Sequence, residues 1–522
     1  MKLKNQLNKS KNAKIVPNIT ENNLYDYPTV KKLVEDLKRK KELGILEGPN
    51  FDFLIKLIKK AESENEIVNI CTLGTDYYKT GLKFSPKLEI ETNYIHYFEK
   101  NRELSFKQQK GENNKLIIGD NYHALQNLLI SHRNKIDIIY IDPPYGCNDM
   151  GEGAKTNYEN EHLSRNHLLS SLKPRLTLAK QLLSQNGVIF CSIDDKNQAY
   201  VKCLFDDVFG ERNFISNLVW EDKYTTTNDK QGISSNTDYI LCYSKIPDGW
   251  VPNKIPLRQD YIEKNYKNPD NDPNGPYMTV QMYKKKNPKS YEVVSPSGKK
   301  WTMPWNFSQD SLNKLAQTNQ IWWGKDGNSL PRKKVYLKNT TGVNPTNLLF
   351  GKDVGYSEHG GNEIEKIFNN RNVFKYPKPV SLIKFLLKIS SNKTSLILDF
   401  YAGSGTTGQA VLELNKEDNG KRRFILCTNN ENNIAYSVTY ERCKRVMTGK
   451  SSDNSKFKWI DENEPLDGSL DVIDIKETSS FDPKSITKID EAIYDFDKHK
   501  TISEHINWVC QNFDITTKKI EE

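Results

Sequence analysis

Two short segments carry residue types able to do chemistry on a planar ring that bears an amine. The first, Asp142-Pro143-Pro144-Tyr145, stands where the apolar run Ile136–Ile141 stops. Successive prolines withdraw two backbone N–H donors and hold φ near −65°, leaving a stiff loop of carbonyl acceptors between a carboxylate and an aromatic ring. An exocyclic amine on a planar base needs both, acceptors for its hydrogens and a π face for its ring. An ordinary strand-terminating turn would use the same four residues. The apolar strand before it favours a site, because ligands of open α/β sheets bind beyond the carboxyl ends of strands.

The second segment, Leu398-Asp399-Phe400-Tyr401-Ala402-Gly403-Ser404-Gly405-Thr406-Thr407-Gly408, again runs from an apolar strand through a glycine-rich turn into a helical pattern. Glycines there permit a tight turn and close approach of the backbone to a ligand. Gly403, Gly405 and Gly408 also satisfy G-x-G-x-x-G, so a nicotinamide-dependent oxidoreductase stays open on pattern alone. That reading leaves the first segment unexplained.

The elements that must position these segments follow from periodicity. Runs at 115–119, 136–141, 187–193, 239–243, 395–399 and 423–428 read as short buried strands, with helical patterns at 172–183 and 379–389 between them. Near-continuous apolar strands alternating with helices predict an α/β fold with a mostly parallel sheet covered on both faces. Residues 245–345, rich in Pro, Asn, Lys and aromatics, break that rhythm and read as an inserted domain. The predicted organisation is a basic, partly helical extension (1–110), a first catalytic part (111–244), the insert (245–345), a second catalytic part (346–445) and an acidic end (446–522).

The net charge of +9 over 522 residues says little, but its distribution says more. Residues 1–60 carry an excess of about seven positive charges, with a predicted amphipathic helix around Leu33, Leu37 and Leu43. The insert carries an excess of about nine, in Lys284, Lys285, Lys286, Lys299, Lys300, Arg332, Lys333 and Lys334, interleaved with Trp301, Trp305, Trp322 and Trp323. Cations beside aromatic faces suit a nucleic-acid surface. The acidic end, with about six excess negative charges, suits packing or a protein partner. Eight scattered cysteines without a CxxC pair predict reduced thiols and no metal site, and no apolar run of about 18 residues predicts a membrane span. A soluble, cytoplasmic protein is expected.

Taken together, Asp142–Tyr145 followed about 260 residues later by the glycine loop resembles the β group of DNA amino-methyltransferases that use S-adenosylmethionine. Gly119-Asp120 resembles that family's G-D element, and Tyr376-Pro377-Lys378-Pro379 its K-P element. SIDD, IWWGKDGNSLPRKKVYL and PKPVSLIKFLL are similar to the Mod subunits of Type III restriction-modification systems. The likeness covers roughly 110–445. It departs at Tyr401, where the family usually has Phe, and at Thr428, where many relatives carry an acid for the ribose hydroxyls, a role Glu431 is placed to take.

The resemblance implies a Rossmann-like methyltransferase acting on the N6 amine of an adenine flipped out of double-stranded DNA. It implies Asp142, Pro143, Pro144 and Tyr145 as catalytic residues. Cofactor contacts would come from Asp120, Lys378, Pro379, Asp399, Tyr401, Ala402, Gly403, Ser404, Gly405, Thr406, Thr407 and Glu431. The insert becomes a target-recognition region, its eight cations facing phosphates. A homodimer and a nuclease-helicase restriction subunit are the partners such relatives keep. A non-catalytic DNA-binding subunit, which a turnover assay separates, and an RNA methyltransferase, which a comparison of DNA and RNA substrates at matched salt separates, remain alternatives.

Overall fold

The six apolar runs lie side by side in one sheet of the computed structural model, which describes residues 28–42, 48–61, 63, 66–67, 70, 94–145, 165–225, 233–284, 290–479, 487–497 and 501–513. In chain order its strands begin with β1 (Tyr94–Phe106), β2 (Asn113–Ile118), β3 (Ile136–Ile141), β4 (Leu183–Ile193), β5 (Phe214–Glu221) and β6 (Thr237–Ser244). Outside it come β7 (Tyr277–Gln281), β8 (Tyr291–Val294), β9 (Lys300–Met303), β10 (Ile321–Trp322) and β11 (Arg332–Tyr336). The chain returns to the sheet with β12 (Leu348–Leu349), β13 (Leu396–Asp399), β14 (Arg423–Thr428) and β15 (Ser469–Ser479). Among the described residues the order is β1-β15-β2-β14-β13-β3-β4-β6-β5-β12.

From β15 to β4 every neighbour is parallel, while β1 and β6 run antiparallel to theirs. Ile138, Ile139, Tyr140 and Ile141 are all at most 3% exposed, so both faces of β3 are covered, as a parallel sheet requires. The helices Asn121–His132, Arg165–Leu182 and Gln198–Phe209 pack side by side. A second group joins Thr406–Asp418, Glu441–Thr448 and Ser357–Phe368.

Strands from the segments set apart as extensions belong to this sheet. β15, from the acidic end, inserts between β1 and β2. Its Asp471 pairs with Lys100 and accepts from Asn113 at 2.7 Å, and Asp474 accepts from Asn101 at 3.1 Å. The acidity is therefore partly neutralised within the sheet. Further along, the Tyr494 hydroxyl accepts from the Phe98 N–H and donates to Asn127, each at 2.7 Å, tying the last segment to β1 and to the helix Asn121–His132. The basic N-terminal helix runs Pro28–Glu42 and packs Val30 and Leu37 on Leu54 and Ile58 of the helix Gly48–Ile58. Leu43 lies outside the described residues, as do Cys71 and Cys147.

The chain divides into two compact units. One holds Met1–Trp250, Asn347–Leu387 and Ser391–Glu522, and the other holds Val251–Thr346 with Lys388–Ser390. The second contains an antiparallel β10-β11-β7 sheet, the β8–β9 hairpin and the helix Gln309–Gln317, around Met282, Val293, Trp305, Leu312 and Ile321. No helix among the described residues is long and apolar enough to cross a membrane.

Candidate active site

Asp142 leaves the carboxyl end of β3, and Asp399 ends the adjacent parallel strand β13, with Ile397 opposite Ile138 and Leu398 opposite Ile139. This register brings the two remote segments to one sheet edge. At that edge the Tyr145 hydroxyl donates to Asp142 Oδ1 at 3.0 Å, and Lys378 Nζ lies 3.0 Å from the same oxygen. Lys378 also donates to the Tyr145 hydroxyl at 2.9 Å, and its ammonium stands 5.1 Å from the ring centroid. Lys378, expected among the cofactor contacts, turns its charge onto the proposed catalytic pair. Burial pushes the Tyr145 phenol well up, with Asp142 adding to the shift, so it stays protonated and able to donate.

The glycine loop is held from inside. Asp399, 2% exposed, accepts from the Tyr401 N–H at 3.0 Å and the Thr407 hydroxyl at 2.5 Å, which braces the turn against the helix it starts. Burial raises its carboxyl to about 7, against the lowering pull of both hydrogen bonds. Gly405 caps that helix at φ 77°, a left-handed conformation natural to glycine. At Gly403 a Cβ would meet the Phe374 ring at 3.0 Å. Buried Arg442 donates to Ser404 Oγ at 3.2 Å and Thr406 Oγ1 at 2.9 Å, and to Gln409 at 2.9 Å. The Ser404, Thr406 and Thr407 side chains are thus engaged internally, and the loop offers a ligand chiefly its backbone.

A bridge that sequence reading missed joins this loop to the G-D turn. Asp120 caps the helix Asn121–His132, accepting from the Tyr122 N–H at 2.7 Å. Arg175, buried on the helix Arg165–Leu182, donates to Asp120 Oδ1 at 2.9 Å and Oδ2 at 3.3 Å, and hydrogen-bonds Asn121. Asn121 in turn donates to the Phe400 carbonyl at 2.8 Å. Burial raises the phenol of Tyr401, which stands where the family usually has Phe, to about 12, against the lowering pull of Arg175. Pro379 precedes the helix Val380–Ser390, Ala402 donates its N–H to the Cys427 carbonyl at 3.1 Å, and Glu431 starts a short turn beyond β14.

Two further carboxylates surround Lys378. Asp238 on β6 is held up to about 6 by burial, against the pull of Lys378, and Asp222 is 5% exposed just after β5. For Lys378 itself burial lowers the ammonium's pKa, but Asp142, Asp238 and Asp222 outweigh it and the net shift is upward. It remains a cation.

In the second unit the predicted phosphate contacts separate. Lys284 and Lys299 are exposed, the latter 4.5 Å over the Trp301 ring and donating to the Asn328 carbonyl. Lys300 pairs with Glu292 at 3.1 Å; Arg332 is exposed and donates to Thr279 at 2.8 Å; Lys333 stands 5.6 Å from the Phe307 ring. Lys334 is a correction. Its side chain is 1% exposed and paired with Asp270 at 2.6 Å and Asp272 at 2.7 Å, so it cannot reach a phosphate. Lys285 and Lys286 lie outside the described residues.

The profile of a DNA methylase family matches residues 136–439, more than half of the chain. The chain belongs to the DNA methylase family. This methylase is 34% identical over 371 residues to the Type III restriction-modification enzyme StyLTI Mod subunit of Salmonella typhimurium, covering 65% of the chain and 56% of that relative. It is 27% identical over 453 residues to the EcoPI Mod subunit of Escherichia phage P1, covering 74% and 68%. The chain thus spans little more than half the length of the first of these relatives. Among solved structures it is similar to the PvuII DNA methyltransferase (cytosine-N4-specific), with a TM-score of 0.33 at 12% identity, over 77% of this chain and 94% of that one. A profile of an uncharacterised conserved protein matches residues 35–138.

Proposed function

We propose that this methylase transfers a methyl group from S-adenosylmethionine to the N6 amine of an adenine flipped out of double-stranded DNA, as the modification subunit of a Type III restriction-modification system. The observation that carries the reading is the meeting of Asp142 and Tyr145 with the Asp399–Gly405 loop at the ends of neighbouring parallel strands. The donor set suits the cofactor. Its sulfonium and ammonium are cationic, and Asp120, whose carboxylate is half exposed beside Arg175, is the acid this sheet edge can turn to them, while the loop glycines let the backbone approach. When bound, the cofactor supplies an electrophilic methyl. Asp120, Pro379, Asp399, Glu431 and the backbone from Tyr401 to Thr407 would hold it.

The chain's own residues supply orientation and charge. The lone pair of an aromatic amine is delocalised into its ring, so the site must favour a pyramidal nitrogen. Asp142 and the Pro143 carbonyl accept the amine's hydrogens and turn its lone pair outward, with Tyr145 as the stacking face. The carboxylate also lies where positive charge develops, a preorganised stabilisation of the transition state. Flipping the base costs about a few kcal/mol, which phosphate contacts offset, with Lys284, Lys299, Lys300, Arg332 and Lys333 as the candidates. In this reading two copies act together and a nuclease-helicase subunit is the further partner. Incubation with methyl-labelled S-adenosylmethionine and unmethylated DNA should place label in N6-methyladenine. Label in N4-methylcytosine, or a preference for RNA at matched salt, would refute the substrate assignment.

A further inference from the structure

Lys378 closes a triangle with Asp142 and Tyr145, and the inference drawn from it rests on the methyl-transfer reading above. Its ammonium and the Tyr145 hydroxyl both reach Asp142 Oδ1, each at 3.0 Å, so the ion pair and the hydrogen bond given to this carboxylate by described residues land on the same oxygen. The Tyr145 hydroxyl donates to Asp142 and accepts from Lys378, so neither the ring nor the carboxylate can rotate without breaking a charge-assisted bond. The side chain that imposes this is only 11% exposed.

We propose that Lys378 is a positioning residue for the transfer step. It saturates one oxygen of Asp142, leaves Oδ2 as the acceptor that carboxylate presents to a target amine, and sets the angle of the Tyr145 ring against it.

A buried lysine serving only to neutralise charge would satisfy the same carboxylates from any angle. The shared contact with Tyr145 distinguishes this arrangement, because it links the acceptor and the stacking face through one cation. The charged groups facing it are Asp142 after β3, Asp222 after β5 and Asp238 on β6, with Lys223 next to Asp222 and acting on Asp238. Removing the cation frees the Asp142 carboxylate and the Tyr145 ring to turn independently, so the acceptor and the stacking face lose their common register. The loss should fall on kcat and spare KM, because these two groups act in the transfer step.

The test measures methyl transfer to DNA by the full-length chain in single-turnover and steady-state assays, with calorimetric binding of S-adenosylhomocysteine alongside. Lys378→Gln should lower kcat roughly 10- to 100-fold while KM for DNA and the affinity for S-adenosylhomocysteine each change by less than about threefold. Lys378→Arg keeps the charge, yet kcat should stay reduced about tenfold, because a planar fork cannot reproduce both contacts. A Gln variant with kcat within about threefold of wild type, an Arg variant with wild-type kcat, or a KM that rises in step with the fall in kcat overturns the proposal. If the Gln variant does not fold, the Arg variant decides: a lowered kcat with unchanged KM supports the role, and an unchanged kcat overturns it. A wild-type chain that transfers no methyl to DNA overturns the functional reading itself, which the comparison between variants leaves distinguishable.

Discussion

Replacing Asp142 by Asn keeps the shape of the side chain and removes its charge, and the structure lets the consequences be separated. Asn Oδ1 still accepts from Tyr145 and still faces the Lys378 ammonium, whose distances of 3.0 Å need not change, and Lys378 keeps Asp238 and Asp222 as counter-charges. No ammonium is orphaned, so the loss of stability should be about 1 kcal/mol, one weakened hydrogen bond. What disappears is a fixed negative charge beside the nitrogen as it becomes positive, and the Asn Nδ2 that replaces Oδ2 donates where the amine also donates. Removing one preorganised group of this kind costs about 3–4 kcal/mol, roughly 10²- to 10³-fold in kcat. The Asp399 turn is braced by Tyr401 and Thr407 independently of Asp142, so affinity for S-adenosylhomocysteine should stay within about threefold. Rapid-quench transfer of labelled methyl, with calorimetric binding of S-adenosylhomocysteine alongside, checks both halves. A kcat within about fivefold of wild type, or a cofactor affinity that falls in step with kcat, would refute the role given to this carboxylate.

Arg175→Met should lower urea stability by about 2–3 kcal/mol, because it removes charge-assisted bonds to Asp120, and should weaken cofactor binding about tenfold or more; unchanged affinity would mean the bridge does not position the loop. Lys334→Met should destabilise the second unit by about 3–5 kcal/mol, since Asp272 is left buried without its cation, yet leave the salt dependence of DNA binding unaltered at temperatures where the unit is folded. Lys299→Ala should do the reverse, reducing the salt slope by about one with little change in melting. Asp399, raised to about 7 by burial, binds a proton in the folded chain that the unfolded chain releases near pH 4. Its contribution to stability is fully present below that unfolded value and is lost as pH rises through about 7. Asp399→Asn should therefore flatten the fall of Tm across this window, and an unchanged slope in thermal melts would count against the assignment.

Much of this site was legible because its chemistry is written in contiguous stretches. D-P-P-Y and the glycine loop each follow an apolar strand, and a local pattern suffices to place both at strand ends. The side chains that orient them were not legible. Arg175 lies in the middle of a helix whose pattern predicts only burial, and Asp238 sits on an ordinary-looking strand; each acquires meaning through a partner remote in sequence. Lys334 failed for the same reason. A count of positive charge in the insert cannot reveal that Asp270 and Asp272, more than 60 residues earlier, have folded around one of those charges. β15 was hidden by its acidity, since an excess of negative charge suits packing or a protein partner alike, and a strand shows only when Lys100, Asn101 and Asn113 are set opposite Asp471 and Asp474.

The division of the site between two distant segments has a physical consequence. Its geometry is delivered by the pairing of β13 against β3, not by the chain that connects them, because parallel neighbours fix the relative height of the residues beyond their ends. About 260 residues, the second compact unit among them, can therefore lie between Asp142 and Asp399 without loosening the site. What the pairing does not set is the orientation of side chains beyond the last ladder bond. That task falls to Lys378 on one side and to the Arg175–Asn121–Phe400 bridge on the other, and each draws its partners from both segments or from the elements flanking them. Change confined to the insert should alter which DNA is bound while leaving the donor and acceptor registered. A single substitution at either brace should blunt transfer on every DNA sequence equally.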